Sequence, residues 1–91
     1  MGFYTVADGI RNTGAGEGEV ILDINRGTLF RLNGSGAKIF RMLNAGHSEE
    51  EVLVVLGNEF GIDRKTASLD VMCFVQSLQS MGILEKASHR P

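Results

Sequence analysis

The stretch Gly18 to Asn33, GEVILDINRGTLFRLN, reads as a β-hairpin that runs straight into a helix. Val20, Leu22 and Ile24 alternate with Ile21 and Asp23, a period of two. Asn25-Arg26-Gly27 supplies the turn, with Gly27 able to take positive φ. Thr28, Phe30 and Leu32 then share one face, and Leu29 and Arg31 the other. The expected inward set is Leu22, Phe30 and Leu32. Three helical patterns follow, and no further strand is expected after them. The last strand of the hairpin, Thr28 to Leu32, is therefore left with an open row of backbone N–H and C=O groups. Such an edge has to be covered, or it is there for an added strand.

Asn33 suits the N-cap of a first helix over roughly Ser35 to Ala45, with Ala37, Ile39, Phe40 and Leu43 as its buried stripe. Gly46 ends it. Ser48 and Glu51 form a capping box, and the run Glu49-Glu50-Glu51 suits a helix N-terminus. That second helix runs to about Phe60 with Val52, Val55, Leu56 and Phe60 inward, weakened by about 1 kcal/mol at Gly57 relative to alanine. Asp63 caps a third helix, Arg64 to about Met81. At about 100° per residue, Ala67, Val71, Phe74, Val75, Leu78 and Met81 fall on its core side. Lys65, Leu69, Met72, Cys73 and Gln76 fall on the opposite side. Gly82 follows the helix, and Ile83-Leu84 is expected to fold back on the core. Residues 1–17 read as a loosely ordered, glycine-rich segment in which Phe3, Tyr4 and Val6 are extended and Ile10 to Thr13 form a first strand. Thr13 to Gly18 reads as a flexible turn rather than a phosphate loop, and residues 86–91 as a tail. The fold class expected is α+β: a winged-helix-like single domain, 1–91, with a three-stranded antiparallel sheet followed by three helices.

A formal net charge of −2 argues against a protein held on DNA or RNA by phosphate contacts. Cys73 is the one cysteine, so no internal disulfide forms, and a reducing cytoplasmic setting is expected. The N-terminus lacks the pattern of a signal peptide. The longest apolar run, Val52 to Leu56, is far too short to span a membrane. His47 and His89 lack ligand spacing, so no metal site is expected. Cys73 lies mid-helix, without the terminal dipole that activates a thiol. Asp8, Glu17, Glu19 and Asp23 read as solvated surface acids, and Asp70 as a rim residue that pairs with a base. No catalytic group and no cofactor is expected. The second apolar patch of helix three, Leu69, Met72 and Cys73, has two readings. It packs under the N-terminal segment or in a dimer, or it walls a groove whose other side is the open strand.

The order Val20-Ile-Leu22-Asp23, Gly27, Leu29-Phe30-x-Leu32-Asn33, Gly36-x-x-Ile39-Phe40, Leu43, Gly46, Ser48-x-x-Glu51, Asp70-Val71, Phe74-Val75, Leu78 and Gly82-Ile-Leu84 resembles the coenzyme PQQ synthesis protein D family. These are the small domains known as RiPP recognition elements, and the likeness spans roughly residues 10 to 85. The resemblance implies a non-catalytic module that binds the leader segment of a ribosomally made precursor peptide as a further antiparallel strand. It also implies a partner that modifies the peptide: a radical enzyme, a leader peptidase or a cyclase. Carried over by position, the peptide-binding residues are Thr28, Leu29, Phe30, Arg31 and Leu32 on the strand. On the helix they are Lys65, Leu69, Met72, Cys73 and Gln76. The looser N-terminal third departs from the quinone-pathway pattern, and a stand-alone chain of this size also resembles the leader-binding protein of lasso-peptide systems. The competing readings are a winged-helix DNA-binding regulator, with helix three as reading helix, and a structural homodimer that satisfies the open edge with a second copy.

Overall fold

The computed structural model describes residues 2–15 and 18–90; Glu17 and the centre of the Thr13–Gly18 turn lie outside the described residues. The elements are β1 (Phe3–Val6), β2 (Ile10–Ala15), β3 (Gly18–Asp23), β4 (Thr28–Leu32), α1 (Gly34–Asn44), α2 (Glu49–Phe60), α3 (Arg64–Ser80) and β5 (Leu84–Ala87). β2, β3 and β4 form an antiparallel meander in that order, and β1 pairs with β5 in a separate two-stranded sheet. The three-stranded sheet and three helices of the expected α+β fold are present. The expectation of no strand after the third helix is corrected by β5. Leu84-Glu-Lys-Ala is too short to show a period, and its partner Phe3–Val6 lies at the other end of the chain.

Helix boundaries follow local chemistry. Ser48 and Glu51 make the capping box in full. The Asp63 side chain accepts from the Thr66 N–H at 2.8 Å. Asn33 stands at the α1 N-cap, but its side chain makes no capping bond. Gly46 and Gly82 take positive φ just past α1 and α3, where a side chain would be strained. Phe60, expected inward, is 42% exposed, because the last turn of α2 runs past the core.

The core joins Phe40 and Leu43 of α1, Val52 and Leu56 of α2, Val71, Val75 and Leu78 of α3, Ile21 of β3, and Ile83 with Leu84 after α3. The inward face of β3 is not the expected one. Ile21 is fully buried with Glu19 and Asp23 beside it, while Leu22 points out. The turn explains the change. Asp23 pairs with Thr28, so Ile24 joins the turn and its length is four residues rather than three. That one-residue shift sets Ile21 opposite Phe30 and Leu22 opposite Leu29, which exchanges the two faces of β3. Glu19 and Asp23, read as solvated, are consequently buried.

Candidate functional site

Among the described residues, no strand pairs with β4 on the side away from β3. The direction of its polar groups follows from one bond. Ile24 N–H donates to Gly9 O at 2.9 Å, towards β2. Successive backbone groups of a strand alternate edges, so Asp23, Ile21 and Glu19 direct theirs to β4, and bond Thr28, Phe30 and Leu32. Leu29 and Arg31 are left to direct their N–H and C=O groups to the open edge. Side chains alternate separately: Phe30 and Leu32 share the inner face with Ile21 and pack on the core, half-buried. Leu29 and Arg31 are exposed on the outer face.

Both ends of β4 are tied to α3. At the Thr28 end, the Arg26 side chain of the β3–β4 turn donates to Met81 O and lies against Gly82, just past α3. Asp23 holds that turn by accepting from the Arg26 N–H at 3.1 Å. At the Leu32 end, β4 passes into α1, and Gly36 in the first turn of α1 stands against the Phe74 ring of α3; a Cβ there would lie 3.5 Å from it. α3 itself packs chiefly on α2 and β5. Its remaining face carries Leu69, 51% exposed, and Met72, 46% exposed, with Lys65, Cys73 and Gln76 also in solvent. All ten residues selected from the sequence therefore lie on β4 or on this face of α3, with Phe30 and Leu32 half-buried and the other eight exposed. Phe74, assigned to the core from the sequence, is half-buried against the core with its ring beside Gly36.

The charged groups around this region are structural. Glu19 accepts from Asn12 Nδ2 at 2.7 Å and from Arg41 Nε at 2.7 Å, and Arg41 also donates to Gly18 O. Burial pushes the Glu19 carboxyl upward, but the two donors and the Arg41 charge outweigh it and hold it below the ordinary range. Glu51 is lowered to about 2, first by the Ser48 backbone N–H and then by Arg90. Tyr4 is raised to about 12 by burial and by its 2.9 Å bond to Glu49. Asp70 is exposed and forms no ion pair among the described residues. No group of three His, Cys, Asp or Glu side chains among the described residues is placed to hold a metal. No helix among the described residues is long and apolar enough to cross a membrane. Among the described residues, one concavity lies on the outer face of the meander and another between Gly34, Lys38, Arg41, Glu59 and Phe60.

Comparison with solved structures places this architecture among leader-binding proteins. TbiB1, solved in complex with the TbiA(beta) leader peptide, superposes with a TM-score of 0.85 at 26% identity, covering 93% of this chain and 99% of that one. A lasso peptide synthetase B1 complexed with its leader peptide gives 0.83 at 29% identity, covering 90% and 96%. The comparison with curated proteins returns no match. The family model described as coenzyme PQQ synthesis protein D matches residues 18–84, from the first residue of β3 to the first of β5. With that match spanning most of its length, the chain belongs to the coenzyme PQQ synthesis protein D family.

Proposed function

We propose that this chain is a non-catalytic module that captures the leader segment of a ribosomally synthesised precursor peptide and hands it to a modifying enzyme. The reading is supported by the edge of β4 left unpaired among the described residues, by the ties from both ends of β4 to α3, and by the exposed apolar side chains Leu69 and Met72 on α3. The guest adds as a strand through the Leu29 and Arg31 backbones. Its side chains opposite Phe30 and Leu32 enter the groove towards α3, where Leu69, Met72 and Phe74 receive them. A free leader is disordered, so docking includes an ordering cost of about 2–5 kcal/mol. One or two apolar anchors therefore supply most of the net affinity. Both structural neighbours are leader-peptide complexes and one of them is a lasso peptide synthetase B1, which supports a lasso-type precursor and with it a leader peptidase as the enzyme served.

The test is fluorescence polarisation with a labelled panel of precursor leaders, the TbiA(beta) leader among them, against the wild-type chain and Leu69→Glu and Met72→Glu. Each variant places a carboxylate on an exposed helix position, so the fold is retained. The expected result is loss of binding by at least about a hundredfold, the cost of facing an apolar anchor with a charge. Unchanged affinity in both variants would place the guest somewhere other than this groove.

A further inference from the structure

An antiparallel sheet with helices on one side ordinarily keeps apolar side chains inward and polar ones in water. β3 departs from that pattern: Ile21 is turned in, but with Glu19 and Asp23 on either side of it, while Val20 and Leu22 are turned out. The register builds an outer lattice of two rows: Arg11, Leu22 and Leu29 stand side by side, and next to them Thr13, Val20 and Arg31. Leu22 is 38% and Leu29 61% exposed. A shallow trough of about 240 Å³ opens over this face. None of the six side chains is acidic, and neither arginine joins an ion pair among the described residues.

We propose that this outer face is a second docking surface, on the opposite side of the sheet from the β4–α3 groove. It takes a protein partner whose contact patch is apolar at the centre and bears carboxylates at its rim. The apolar residues gain by leaving water. Arginine is enriched in interfaces, and its planar fork pairs with carboxylates in two parallel bonds. A second copy of this chain fits poorly, because two such faces would bring four guanidinium groups together with no carboxylate among them. Size argues the same way. Three strands by five residues cover on the order of 250 Å², against about 800 Å² per partner in stable interfaces. The contact is therefore transient.

The experiment is an NMR titration of the ¹⁵N-labelled full chain with two synthetic twelve-residue amphipathic helices. Both present leucines along one face; glutamates flank that face in one peptide and lysines in the other. The glutamate-flanked peptide is expected to shift the amides of Arg11, Val20, Leu22 and Leu29, and to bind at least about tenfold more tightly than the lysine-flanked one. Arg11→Glu should reverse that preference, and Leu22→Ser should weaken both peptides, with well-dispersed spectra showing that each variant is folded. Leu69→Glu, which blocks the groove, should leave this binding unchanged, so the groove and the outer face fail or stand separately. Equal affinity for the two peptides, no binding by either, or shifts at Leu69, Met72 and Phe74 without shifts at Arg11, Val20 and Leu22 would overturn the proposal. So would a concentration-dependent dimer, seen by light scattering and relieved by Leu22→Ser, which would give the face to a second copy.

Discussion

Burying the Glu19 carboxylate is tolerable only because Asn12 and Arg41 both donate to it. Arg41→Leu removes one donor and the balancing charge while leaving the acid in place. Arg41 is 41% exposed, so water recovers part of the loss; a destabilisation of about 2 kcal/mol is expected in urea unfolding. Acid should act on the same group. Its folded pKa is lowered, so its contribution is complete above the ordinary carboxyl value of 4.5 and falls away as pH drops through the lowered one. Glu51 behaves alike, with a window from 4.5 down to about 2. The urea midpoint should therefore hold between pH 6 and 8 and decline steadily below about 4.5. Tyr4 acts at the other end: its raised pKa makes its contribution complete below 10 and lost as pH rises towards about 12. The Ser48–Glu51 pairing is legible in the sequence as a capping box, but the burial of Glu19 is not, because a glutamate in a strand pattern reads as solvent-facing. The register of the β3–β4 hairpin turns Glu19 inward, and the partner that satisfies it there, Arg41, lies 22 positions away.

At the scale of elements, what could be read locally was read correctly, and what depended on a distant partner was not. The capping box at Ser48 and the Asp63 cap are short-range chemistry, and they mark α2 and α3 where the structure has them. β5 needs β1, some eighty positions away in the register Phe3 to Ala87, and no local signal announces it. The face of β3 turned on whether Ile24 belongs to the strand or the turn, a choice of one residue that propagates along the whole strand. The same alternation yields a selective pair of variants. Proline removes an N–H and is accepted at an edge where that N–H faces outward. Arg31→Pro should leave the chain folded by circular dichroism yet abolish leader binding, because it deletes a donor that only the guest uses. Phe30→Pro should unfold the hairpin, by about 3 kcal/mol or more, since its N–H serves β3. If the two variants behave alike, the assignment of Leu29 and Arg31 to the open edge is wrong.

Across the whole molecule, charge separates the peptide-binding reading from the nucleic-acid one. Of the nine lysines and arginines in the sequence, five are held in ion pairs: Arg26, Lys38, Arg41, Arg64 and Arg90. The remaining four, Arg11, Arg31, Lys65 and Lys86, sit on separate elements rather than on one helix face. The exposed face of α3 offers apolar side chains where a reading helix offers cations and hydrogen-bond donors. A phosphate-binding protein neutralising even six charges loses about a thousandfold in affinity between 50 and 200 mM salt. Leader binding by the proposed strand addition would rest instead on backbone ladder bonds and buried apolar anchors, neither of which displaces a counterion atmosphere. Calorimetric titration of a leader that binds should therefore give an affinity that changes by less than about threefold over that salt range. It should also show a negative heat-capacity change, the mark of apolar burial. A steep salt dependence with little change in heat capacity would mean that exposed charges, rather than the β4 edge and the α3 face, do the recognising.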